Sequence, residues 1–232
     1  MSKTDAALTH SQRTSEQTRQ LEATAYYDRE YKPNLEPTES ATDMSLFFRG
    51  QGYEESGEWD RAIGMFVEFS KRMHARDNIF EMSRAWDRLG HVYSKMGEPE
   101  KAYVAFDRCL QLSREARSTS GVGRALLGLG LSAELRHQHR EAIRSFDRAV
   151  HYFRETGDVI GEAGCYRGSQ RSYAAMNNVE GRDHYKDLAD EIEMRNELAV
   201  QRVTEKMASL RRRLVGATAS ATLAVAISKK QY

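Results

Sequence analysis

The sequence predicts an all-α solenoid of stacked helical hairpins. Three observations predict it. An apolar phrase returns every 40 residues, with Trp86, Leu89, Gly90, Tyr93, Ala102, Phe106 and Cys109 answered by Leu126, Leu129, Gly130, Ala133, Ala142, Phe146 and Ala149. Forty residues earlier the same slots hold Leu46, Arg49, Gly50, Tyr53, Ala62, Phe66 and Phe69. Residues that cap helices recur with the same period, at Asn78, Ser118 and Asp158. Finally, the chain has only three prolines in 232 residues, and two of them, Pro33 and Pro37, lie together near the start.

Residues 1–42 form a polar arm rich in Ser, Thr, Gln and Glu, expected to be disordered when free. Within it, Tyr26, Tyr27 and Tyr31 gather apolar surface that could dock on a partner or on the first hairpin. Repeats follow over 43–182, in units starting near 43, 83, 123 and 163. In the second unit the spacing predicts a first helix near 83–96 and a second near 99–115. Gly90 and Ala102 lack bulk, so the two helices can cross closely, and Trp86, Tyr93 and Phe106 fill the space beside the crossing. Pro99 falls in the first turn of its helix, where a missing N–H costs nothing. Asn78 with Glu81 reads as a capping box.

The fourth unit keeps Tyr166 and Tyr173 but has Ser169 and Gln170 where Leu-Gly stood. Gly181 and Tyr185 enter its small and aromatic slots only if one residue is removed from its turn. A long helix over 183–214 continues an apolar stripe through Leu188, Ile192, Ala199, Val203, Met207, Leu210 and Leu214. It can cap the open end of the solenoid, or project and pair with a partner as a coiled coil. Residues 215–232 are expected to be a flexible tail.

The pattern Trp86-x-x-Leu89-Gly90-x-x-Tyr93, then Ala102 and Phe106, resembles the tetratricopeptide repeat family, over roughly residues 43–190. The usual repeat is about 34 residues and ends in proline. Here the period is 40 and that proline is absent, as in the long-repeat type found in Pins-type spindle adaptors and axonemal tetratricopeptide proteins. The resemblance implies a right-handed superhelix with about four hairpins and a long C-terminal capping helix, serving as a protein-binding scaffold.

Composition narrows the function. A formal charge of +1 argues against a generally basic nucleic-acid binder, and "LVGATASATLAVAIS" at 214–228 is shorter than a membrane span needs. Two cysteines inside helical patterns read as reduced thiols in a cytoplasmic setting, which the resemblance extends to the cytoskeleton or a cilium. The seven histidines are scattered over separate elements, and no phosphate-binding loop follows a strand. No enzyme, metal or cofactor is expected.

A partner is therefore expected to be a protein. In the family, slots two, five, nine and twelve of each first helix line the concave face. Carried over, the candidate groove residues are Phe47, Arg84, Asp87, His91, Arg124, Leu127, Leu131, Arg167 and Arg171, with Ser94 and Glu134 beside them. Four arginines against two acids suggest a basic groove for an acidic peptide or helix. The competing reading is that these arginines pair with Asp87, Glu134 and other nearby acids. At the level of the whole protein, the scaffold or adaptor, a subunit of some larger complex, competes with a sensor that releases an effector when peptide binds.

Overall fold

The computed structural model describes residues 43–228, with side chains omitted at 203 and 208–228. The N-terminal arm, its tyrosine cluster and the last four residues lie outside the described part. Eight α-helices follow in order: α1 Asp43–Glu55, α2 Trp59–Ala75, α3 Ile79–Lys95, α4 Pro99–Glu115, α5 Thr119–Leu135, α6 His139–Thr156, α7 Val159–Ala175 and α8 Val179–Ser228. Each packs on the next, and the first helices α1, α3, α5 and α7 also touch one another in sequence, forming an inner layer. The described chain is all-helical, with the consecutive packing of a hairpin solenoid.

The period comes from the corners. Every helix from α2 to α6 has 17 or 18 residues, and a left-handed backbone residue returns every twentieth position: Gly57, Asp77, Gly97, Arg117, His137, Gly157 and Asn177. Their φ values lie between 51° and 76°. The N–H of the next residue reaches back over the corner to close a six-residue ring, as from Asn78 to the Met73 carbonyl (2.9 Å) and from Ser118 to that of Ser113 (2.8 Å). That same residue opens the following helix. Asn78, Ser118 and Asp158 accept from the N–H groups of Glu81, Gly121 and Gly161 at 3.2, 3.1 and 2.9 Å. These caps start the first helices at 79, 119 and 159, four residues ahead of the apolar phrase, so the start expected near 83 moves to Ile79.

The core is a row of phenylalanines between glycines. A methyl group on Gly90 would stand 2.6 Å from the Phe106 ring, and one on Gly130 2.4 Å from Phe146. From the following hairpin, Gly128 closes on Phe106 (2.2 Å) and Gly168 on Phe146 (2.5 Å). Each ring thus joins its own hairpin and binds it to the next. Leu89, Ala102, Phe106, Ala142 and Phe146 are fully buried; Trp86, Tyr93 and Leu129 are nearly so.

The fourth hairpin differs from expectation. Its turn keeps full length, because α7 ends at Ala175, Asn177 turns the corner and α8 starts at Val179. Gly181 and Tyr185 simply sit one residue early on their helix. Gln170 occupies the slot of Gly130, so no cradle for a phenylalanine exists there. Tyr185 instead stacks on Tyr173 at 5.4 Å and donates to the Asp147 carboxylate at 2.9 Å.

The long helix also differs. It is continuous from Val179 to Ser228, through the stretch expected to be a flexible tail. Alanine-rich sequence without proline favours helix, and Gly216 alone does not end it. Its solenoid-facing side, Tyr185, Leu188, Ala189, Ile192 and Asn196, is buried or half-buried. From Glu197 to Met207 every described side chain is exposed.

Candidate partner-binding cleft

The first helices converge on a cleft of about 730 Å³. His91, Ser94 and Lys95 come from α3, Leu131, Glu134 and Leu135 from α5, His137 from the following corner, and Arg171 from α7. Leu131 and Leu135 are one turn apart and give the cleft an apolar floor; Leu135 is 45% exposed. Lys95, Arg171 and the two imidazoles surround it.

The candidate groove residues separate into two groups. His91, Leu131 and Arg171 meet in the cleft. Phe47 does not offer a binding surface: it is only 3% exposed, packed against Phe66 and Phe69, with the Arg84 guanidinium 4.5 Å above its ring. A first-helix slot faces the groove only where the neighbouring hairpin leaves it open, and here Arg84 covers it. Asp87 is also buried, and Leu127 is half-buried against the core.

The arginines are paired. Arg84 lies 2.8 Å from Glu81, Arg124 3.4 Å from Asp87, and Arg167 2.7 and 2.5 Å from Asp190 and Glu193. Arg171 makes a two-pronged fork on Glu134, with both bonds at 2.8 Å. The expectation of a basic groove is corrected on this point. Glu81, Asp190 and Glu193 lie outside the slots used to count charge, and two of them arrive from α8. The two carboxylates hold the Arg167 guanidinium pKa above its usual value. A further group escaped the slot reading: Glu54, nearly fully buried, accepts from Arg88 and from Lys95 (2.7 Å), tying the first two hairpins together.

His91 sits edge-on to Phe106 at 5.2 Å, with Nε2 3.8 Å from the Asp87 carboxylate. Burial lowers its pKa below the usual imidazole value, and Asp87 only partly offsets this. Lys95, Leu135 and His137 were missed because they occupy helix ends and a corner rather than the four repeating slots. Cys109 and Cys165 are free and buried, and burial pushes both thiols well up. Among the described residues no cluster has the makeup of a metal site, and no helix is long and apolar enough to cross a membrane.

A solenoid of hairpins with a cleft across its inner layer defines a helical-repeat protein. Residues 81–155 match the tetratricopeptide repeat family model. Aspartyl phosphate phosphatase F from Bacillus subtilis superposes with a TM-score of 0.62 at 15% identity, over 67% of this chain and 41% of that one. BtubC (BKLC) from P. vanneervenii gives 0.60 at 13%, over 80% and 74%. The nearly identical repeats of a putative kinesin light chain from Podosopora anserina give 0.52 at 12%, over 79% and 92%. At these identities the likeness is one of fold. The chain spans under half of the Bacillus protein. No curated protein matches it.

Proposed function

We propose that the protein is a non-enzymatic binding scaffold that holds an apolar, acid-flanked peptide or helix in the cleft between α3, α5 and α7. The observation that carries this is the cleft floor of exposed Leu135 and half-buried Leu131 beside Lys95 and the Arg171 fork. Extended concave surfaces of this kind are what helical repeats offer to partners. The internal ion pairs do not close the site. An incoming carboxylate can replace Glu134 on Arg171, and exchanging one exposed pair for another costs about 1 kcal/mol or less. Buried apolar area then supplies the net affinity, and charge supplies orientation. The setting we propose, an adaptor within a larger cytoskeletal or ciliary assembly, rests on the resemblance to long-repeat relatives.

Affinity capture from the native cell tests this, comparing the wild type with Leu135→Asp/Arg171→Glu at two salt concentrations. Both positions are solvent-facing, so helical content should be kept, and losing the Arg171–Glu134 fork should lower stability by only about 1 kcal/mol. Loss of one partner set, with wild-type capture weakened by salt, supports the cleft. An identical partner set from both chains rules it out.

A further inference from the structure

The second and sixth slots of the repeat reach back to the hairpin before. In the second slot the Arg84 guanidinium lies 4.5 Å above the Phe47 ring, and Arg124 stands 3.4 Å from Asp87. In the sixth, Arg88 donates to Glu54 of the first hairpin. A methyl group on Gly128 or Gly168 in that slot would meet Phe106 or Phe146 of the preceding hairpin at 2.2 and 2.5 Å. In α1 the same two slots hold Met44 and Phe48, one turn apart. Met44 is 37% exposed and Phe48 60%, with the edge of Phe47 beside it at 6.2 Å. Among the described residues no helix precedes α1 to cover them.

The chain carries a ring at the matching distance. Phe106 precedes Gly128 by 22 residues, and Phe146 precedes Gly168 by 22; counting 22 back from Phe48 reaches Tyr26. Tyr26 also stands 40 residues before Phe66, itself 40 before Phe106, so the repeat period puts it in the phenylalanine slot. We infer that residues 21–31 dock as a helix on α1 of their own chain, with Tyr26 against Phe48 and the neighbouring Tyr27 and Leu21 adding apolar area. Phe48 brings a ring where later hairpins have glycine, so the two aromatics pack edge to face instead of one nesting on bare backbone. Pro33 suits the end of such a helix, and residues 32–42, up to about 36 Å when extended, suffice to turn back into Asp43. Eleven residues make a marginal helix alone, so docking and helix formation occur together. The tether sets an effective concentration on the order of millimolar, which favours the chain's own arm over a second copy at micromolar concentration. Docked, the arm covers the first hairpin as α8 covers the last.

Amide hydrogen exchange on the full chain tests this. Amides of residues 22–31 should exchange at least about tenfold more slowly than those of 2–15, equally at about 1 and 100 µM protein. Phe48→Ser and Tyr26→Ser should each bring 22–31 up to the rate of 2–15 while the amides of α3 to α7 keep their protection. Tyr26→Phe should preserve the slow exchange, because the ring and not the hydroxyl makes the contact. Equal rates for 22–31 and 2–15 in the wild type overturn the proposal, as does protection that survives Phe48→Ser. Protection that grows with protein concentration would assign the face to a second copy and also overturn it.

Discussion

Gly128 faces Phe106 so closely that a methyl group would stand 2.2 Å from the ring, which is itself wedged against Gly90. The ring cannot retreat, so Gly128→Ala should destabilise the protein by about 1–3 kcal/mol in denaturant unfolding. The corners make the opposite case. Gly97 has φ of +74° with open space around it, so Gly97→Ala isolates backbone strain and should cost about 1–2 kcal/mol. Arg117 holds φ of 51° without being glycine, and Arg117→Gly should gain up to about 1 kcal/mol. Equal midpoints for the two corner variants would show that the left-handed residues are not what limits these turns.

At the scale of elements, α8 is two structures in one helix. Up to Asn196 it is the second helix of the last hairpin; from Glu197 to Met207 every described side chain is exposed. Ending the chain after residue 196 should leave the melting of dilute protein within a few degrees of the full chain. Tyr185→Ala, which loses the stack on Tyr173 and the bond to Asp147, should lower stability by about 1–3 kcal/mol. If truncation and Tyr185→Ala cost the same, the division at Asn196 is wrong. The fourth hairpin shows how the sequence misled. The early Gly181 and Tyr185 suggested a shortened turn, whereas Gln170, standing where earlier units have Gly90 and Gly130, had removed the phenylalanine cradle.

At the scale of the molecule, contacts reach only to the next helix or the one after it, so stability is built unit by unit. His91 lies in the second of these units, edge-on to Phe106 of the same hairpin. Its pKa is lowered by burial, so between 6.5 and its folded value the unfolded chain binds the extra proton. Stability should therefore fall as pH drops below about 6.5, and His91→Gln should flatten that slope in urea titrations between pH 5 and 7. The two thiols report global opening: a thiol reagent should find none in native protein and both after denaturation, since Cys109 and Cys165 are at most 1% exposed. Reaction of either thiol in the native state would place an opening motion inside the second or fourth hairpin.

The all-helical class, the 40-residue period, the Asn78, Ser118 and Asp158 caps and the small-residue slots were local or periodic, and the sequence alone determined them. Capping depends on a residue and its neighbours three positions on, and a repeat can be read by comparing a chain with itself. What the cleft holds and what it has already satisfied were decided only by the tertiary structure. Phe47 is closed off by Arg84 from the next hairpin, and Arg167 is neutralised by Asp190 and Glu193, 23 and 26 residues further along the chain. The apolar cleft floor joins Leu131 to Leu135 at a helix end that no slot marks. Burial and charge pairing depend on which surfaces meet, and that is a property of the stack rather than of any one repeat.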